Sequence, residues 1–161
     1  MNKYLLILLA CILQSCSSED SATTTELEGT WTQCIPSIQT FDNFGTVVTM
    51  TSGPSKKVTA TYQGNTVSTL TETHSDADCT NQTLTTGPEQ ESIKIGDEFT
   101  SINGALVTEI YFLINDYKTI YLLQDGGNTL YFGKQCTLAN AQCLNDRPLE
   151  INYDFPSYKV N

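Results

Sequence analysis

From Lys56 to Gly133 the chain repeats one short pattern. Runs of four to nine residues rich in Thr, Val, Ile, Tyr and Phe are each stopped by Gly, Asn, Asp or Pro. β-branched and aromatic side chains fit a pleated, half-buried surface, and turn residues at this spacing join strands rather than helices. Lys56–Tyr62 alternates, with Val58, Ala60 and Tyr62 on one face and Lys57, Thr59 and Thr61 on the other. Gln63-Gly64-Asn65 turns it, and Thr66–His74 runs back. Further strands are predicted at Thr83–Thr86, Glu91–Ile95, Glu98–Ile102, Leu106–Ile114, Thr119–Gln124 and Thr129–Gly133. They are broken at Gly87-Pro88, Asn103-Gly104 and Asp125-Gly126-Gly127-Asn128, and the last two are hairpin signals. Upstream, Thr30–Ile35 is a strand ended by Pro36, and Thr46–Thr51 reads as another. Thr supplies 24 of the 161 residues, and no stretch after the N-terminal segment keeps a 3.6-residue apolar period over three turns. About eight antiparallel strands joined by tight turns predict an all-β chain, a single up-and-down β-barrel whose closure leaves no exposed edge. The tail from Arg147 to Asn161 is expected to pack over that barrel.

The first residues stand apart. Met1-Asn2-Lys3 is a short positive stretch, and Tyr4–Leu13 is an apolar run about half as long as the ~20 residues a spanning helix needs. Leu13-Gln14-Ser15-Cys16 resembles a bacterial lipobox. The resemblance implies a lipoprotein signal peptide over 1–15, cleavage after Ser15, and acylation of Cys16 with palmitate-type chains. Two or more acyl chains anchor stably, so such a protein is held to a membrane without spanning it. Residues 16–26 form a lipidated polar tether, and 27–161 is one domain, long enough to bury a core. Ser17 in place of an aspartate resembles outer-membrane sorting in enteric bacteria. Glu19-Asp20 is similar to surface-export signals in other phyla. The cell envelope, anchored at the outer membrane, is therefore the expected location, with the periplasmic or surface face left open.

Six cysteines divide accordingly. Cys11 leaves with the signal and Cys16 takes lipid, so Cys34, Cys79, Cys136 and Cys143 remain for two disulfides, with three connectivities allowed. Only six residues separate Cys136 from Cys143, which makes a local staple easy; Cys34 and Cys79 would then tie the first strand to a later loop. A four-cysteine zinc site is the competing chemistry. It is disfavoured by the lack of any C-x-x-C pair and by an oxidising compartment.

Three spots resemble the lipocalin family and its calycin relatives. Gly29-Thr30-Trp31 matches the G-x-W signature of the first strand. Asn115-Asp116-Tyr117 is similar to the T-D-Y pattern between two late strands, with Asn115 in place of threonine. Arg147 follows the last strands as the family's floor arginine does. The resemblance implies a barrel floor of Trp31, Arg147, Asp116 and Tyr117, with Arg147 lying across the Trp31 ring. The chain also looks like small lipocalin-like bacterial lipoproteins in which a Cys-Ile-Pro and a later Asp-x-Asp-Cys-Thr recur, here Cys34-Ile35-Pro36 and Asp76-Ala77-Asp78-Cys79-Thr80. That likeness supports a Cys34–Cys79 bridge. The Cys136–Cys143 loop stands where larger lipocalins carry a helix.

Chemistry is sparse. His74 is the only histidine, no G-x-S-x-G occurs, and the cysteines are committed, so no enzyme is expected. His74, Asp76 and Asp78 are too few ligands for a metal site, and no cofactor is expected. Binding is the better class. Small barrels either fill with side chains or hold one small ligand, and Tyr62, Val67, Ile95, Phe112, Ile114, Leu122 and Phe132 are expected to face such a cavity. The lipocalin resemblance implies a small apolar ligand. The alternative is an interaction module for a basic protein, in the manner of lysozyme inhibitors, or an envelope structural protein. Removal of Lys3 leaves 18 acidic side chains against 7 basic ones, a charge of −11. That charge suits a basic partner and disfavours nucleic acid.

Overall fold

The computed structural model describes residues 26–36, 53–136 and 143–161. The signal peptide, Cys16 with its tether, and the Thr46–Thr51 strand lie outside the described residues. The described chain has no helix. Its strands are β1 (Gly29–Pro36), β2 (Ser55–Gln63), β3 (Thr66–His74), β4 (Gln82–Thr100), β5 (Leu106–Phe112), β6 (Tyr117–Gln124), β7 (Thr129–Phe132), β8 (Cys143–Leu144), β9 (Arg147–Pro148) and β10 (Ser157–Val160). Eight of them close into one antiparallel barrel in the order β1-β10-β7-β6-β5-β4-β3-β2, and β8 and β9 form a separate two-stranded hairpin.

Two departures from the sequence reading shape the barrel. The three strands expected between Thr83 and Ile102 are one strand, β4. Its first part pairs with β3 (Val67 opposite Glu91) and its second with β5 (Ile95 opposite Ile110). Gly87-Pro88 does not end the strand. The register shifts between Thr69 and Thr71 on β3, opposite this dipeptide, so the chain bulges and continues. Gly87 adopts φ +102°, and a Cβ there would come within 2.7 Å of the Thr69 carbonyl oxygen, so glycine is required. The second departure is the tail. It does not merely cover the barrel: β10 is a stave, pairing with β1 (Trp31 opposite Lys159) and with β7 (Ser157 opposite Leu130).

Alternation along these staves makes two apolar layers. The inner one buries Leu27, Trp31, Tyr62, Val67, Ile93, Ile110, Tyr121 and Leu130, with Ala60, Ile95, Phe112, Leu123 and Phe132 packed against them. The outer one buries Val107, Ile120 and Ile151, with Phe99, Ala105, Leu122 and Tyr131 around them. A second apolar layer on the outside needs its own cover, because an antiparallel sheet otherwise faces water there. The segment around the β8–β9 hairpin supplies it. Pro148 is buried against Gly133, where a Cβ would lie 2.5 Å from Pro148 Cγ. Disulfides join Cys34 to Cys79 and Cys136 to Cys143, with Cα separations of 6.0 and 5.9 Å. The first fixes the end of β1 to the loop after β3, and the second closes the loop that leads into the covering hairpin.

Candidate functional site

The barrel is plugged at one end and hollow toward the other. Where β1 begins, Leu27 is fully buried beneath Trp31, and the Trp31 indole N–H donates to the Leu27 carbonyl at 2.7 Å. Trp31 is 1% exposed. Tyr121 lies in the same layer; burial, and then the neighbouring Glu26 carboxylate, push its hydroxyl pKa up. Burial alone raises that of Tyr62.

Above this plug is a cavity of about 220 Å³ lined by Trp31, Gln33, Val58, Ala60, Tyr62, Val67, Thr69, Phe112, Tyr117, Thr119, Phe132 and Ser157. Alternate residues of β1, β2, β3, β5, β6, β7 and β10 supply it, as the period of two requires. Gln33 is held by donating its side-chain amide to the Phe155 carbonyl. At the rim, the Glu91 carboxylate accepts from the backbone N–H groups of Ile114 (3.1 Å) and Asn115 (2.9 Å) and from the Asn115 side chain (2.9 Å). The turn between β5 and β6 is thereby clamped beside the opening.

Several expected site residues lie elsewhere. Tyr62, Val67, Phe112 and Phe132 line the cavity. Ile95 faces inward and packs on the core without lining it. Ile114 is 70% exposed, because the chain leaves β5 at Phe112 and Ile114 falls in the turn. Leu122 points to the outer layer, since its neighbours Tyr121 and Leu123 take the two inward positions. The expected floor also divides. Arg147 does not lie across Trp31. Its guanidinium sits 4.1 Å from the Phe99 ring centroid on the outside of the barrel and pairs with Glu109. The cation over Trp31 is Lys159, 5.3 Å from the ring centroid, brought there by its register opposite Trp31. Asp116 is exposed in the β5–β6 turn and accepts from the Tyr111 hydroxyl, while Tyr117 stands at the cavity rim, 41% exposed.

Gln33, Thr69, Thr119 and Ser157 are polar lining residues that the hydrophobic alternation passes over. The available signal was position: Thr69 is two residues from Val67, and Thr119 two from Tyr121. His74 is buried on the outer face of β3, with Ser55 as its register partner, away from this cavity. The Asp76 carboxylate accepts from the backbone N–H groups of Thr80 (3.0 Å) and Asn81 (3.1 Å) and from their side chains. These bonds, the Thr80 hydroxyl first, hold its pKa below the usual range. The acid thus orders the loop that carries Cys79. Among the described residues no group of three or more His, Cys, Asp or Glu side chains is placed to hold a metal ion.

Other cavities lie among the described residues, two of them larger than the interior one by more than 100 Å³. One of about 740 Å³ lies on the outer face beside the Cys34–Cys79 bridge and shares no residue with the barrel interior. It is bounded by Pro36, the last described residue before 37–52. Another, of about 360 Å³, opens at the β4–β5 irregularity between Ile95 and Glu98 and has Thr119 in its wall. The interior cavity is the better candidate, since it is largely apolar, walled by seven staves and furnished with a few convergent polar groups. Comparison with family models, with curated proteins and with solved structures finds no match.

Proposed function

We propose that this chain is a lipid-anchored, lipocalin-like binding protein of the cell envelope that holds a small apolar ligand inside its barrel. The observation that carries the reading is the hollow of about 220 Å³ above the Trp31 plug, walled largely by apolar and aromatic side chains. A dry apolar cavity of ~150 Å³ accepts a molecule the size of benzene. The ligand, or the part of it that is buried, is therefore about one ring or a six-to-seven-carbon chain in size. A binding rather than catalytic role is supported by the disposition of the reactive groups. All four described cysteine sulfurs are in disulfides, and the only histidine is on the outer face.

The anchor belongs to the same reading. The chain enters the barrel at the plugged end, through Leu27. A tether running from an acylated Cys16 therefore joins the closed end and spans at most about 35 Å, with the rim at the opposite end. Native mass spectrometry of the protein purified from its own envelope tests the proposal. A bound mass beyond that of the acylated polypeptide is expected, together with displacement of an apolar fluorophore by that species. A ligand-free mass with no uptake of apolar fluorophores would sink it.

A further inference from the structure

We infer that the first half of β4 is a docking edge for an extended segment of a basic polypeptide, which joins the sheet there as one more strand. The inference goes beyond the interior cavity and does not depend on it. β4 runs on past the barrel wall. Its ladder with β5 starts only at Ile93, whereas its ladder with β3 reaches back to Gln82. From Gln82 to Gln90 the strand therefore has a neighbour on one side only, and all nine residues are exposed. Alternation fixes how the later ones point. The Ile93 N–H donates to the Asn65 carbonyl on the β3 side (2.8 Å), and the Ser92 carbonyl accepts from the Leu113 N–H on the β5 side (2.9 Å). Gln90 and Pro88 thus turn their backbone to the open edge. A proline is tolerated where no partner strand asks for its N–H, and Pro88 confines an added strand to Gln82–Thr86. Unpaired backbone groups along an exposed strand are a template for another chain. Edges are commonly blunted by charge or proline, and Gln82-Thr83-Leu84-Thr85-Thr86 has neither. Leu84, 60% exposed, offers the incoming strand an apolar contact.

Charge selects the partner. Asp76 and Asp78 stand before this edge and Glu89 and Glu91 after it, and from Ser75 to Ile93 the sequence has no Lys, Arg or His. An uncharged stretch is therefore flanked by acids at both ends, on a chain of net charge −10. The complementary segment has a β-branched, uncharged centre and basic ends, and the field of the whole chain favours its approach. A second copy of this chain would satisfy the backbone but not the charges. In a two-fold antiparallel pairing the Asp76–Asp78 end of each copy meets the Glu89–Glu91 end of the other, and like charges set opposite one another destabilise a ladder.

The test titrates the isotope-labelled full-length mature protein with the peptide Lys-Thr-Val-Thr-Val-Thr-Lys, which reads the same in either direction, and follows backbone amide shifts by NMR. The comparisons are Glu-Thr-Val-Thr-Val-Thr-Glu and two forms of the basic peptide, each N-methylated along one of its two edges. Shifts are expected at Gln82–Thr86. The basic peptide should bind about tenfold more tightly than the acidic one at low salt, and the gap should close at about 1 M salt. One of the N-methylated forms should lose binding, because it cannot pair with the edge. Leu84→Lys, a charge of the kind that blunts edges, should weaken the basic peptide about three- to tenfold and leave the urea midpoint unchanged. No binding of the basic peptide at millimolar concentration overturns the proposal. So do shifts confined to residues outside β4, equal affinity for the acidic peptide, or full binding by both N-methylated forms. Self-association of the protein through the same amides also overturns it, since the occupant is then a second copy. If Leu84→Lys fails to fold, the peptide comparison on the wild-type protein decides.

Discussion

Replacing Trp31 tests the closed end of the barrel directly. The ring is 1% exposed. A buried indole removes roughly 150–250 Å² from water, which at about 25 cal/mol per Å² corresponds to roughly 4–6 kcal/mol. Denatured chains already bury part of that area, which lowers the expected loss for Trp31→Ala to about 3–5 kcal/mol, the usual range for aromatic-to-alanine changes in a core. Trp31→Phe separates the components. It keeps most of the packing but leaves the buried Leu27 carbonyl without its 2.7 Å donor, at a cost of about 1–3 kcal/mol. The assay is urea unfolding followed by far-UV circular dichroism, since the variants lose the fluorophore. A loss under about 1 kcal/mol for Trp31→Ala is what surface sites give, and it would refute the plug.

The same experiment extends to the two cations. Lys159→Met removes the charge over the indole and should cost about 0.5–1 kcal/mol and shift Trp31 emission. Arg147→Met should leave the emission unchanged, because its guanidinium faces Phe99 and Glu109. The reverse pattern would restore the arginine to the floor and refute the register that places Lys159 opposite Trp31.

Two further predictions concern the staples and alkaline pH. Replacing Cys34 and Cys79 by Ser reopens a loop of sequence separation 45, and chain entropy predicts a loss of about 4 kcal/mol. The Cys136–Cys143 pair, with separation 7, should cost only roughly 2–3 kcal/mol; equal urea midpoints for the two double mutants would contradict the loop argument. Burial raises the Tyr62 and Tyr121 hydroxyl pKa values above their ordinary value of 10.0. Above that pH the unfolded state loses these protons first, so it binds fewer protons than the native state and stability falls as pH rises. Stability is therefore full below about pH 10 and declines above it, and Tyr62→Phe should flatten the decline in urea midpoints measured between pH 9 and 11.

The fold was legible because its signals were local. Lys56–Tyr62 and Thr66–His74 are joined by a Gly-Asn turn and differ from β2 and β3 by at most one residue at each end. Non-local geometry was less visible. Gly87-Pro88 has the composition of a turn, yet the partner strand absorbs it as a bulge, which depends on Thr69 across the ladder. Ser157–Val160 is a four-residue run after a proline, too short to read as a strand, and only its pairing with β1 and β7 makes it a stave. Leu122 was ambiguous for a related reason. Ile120 to Leu123 is apolar at every position because both faces of β6 are covered, one by the barrel core and the other by the layer around Ile151 and Tyr131. Alternation has nothing to report when neither face is wet.

The swap between Arg147 and Lys159 shows why a role carried over by residue type can miss its position. A cation over the floor tryptophan needs only a long basic side chain one strand away, pointing inward. The tail meets that requirement at Lys159, directly opposite Trp31, and this frees Arg147 to serve the outer layer with Glu109. The same reasoning applies to the cavity. Residues that complete a hydrophobic wall follow the pattern and were found at Tyr62, Val67, Phe112 and Phe132. Thr119 breaks that pattern at an inward position of β6, with its hydroxyl buried and unpaired. Such positions are recovered by combining strand parity with the question of which buried polar atom lacks a partner.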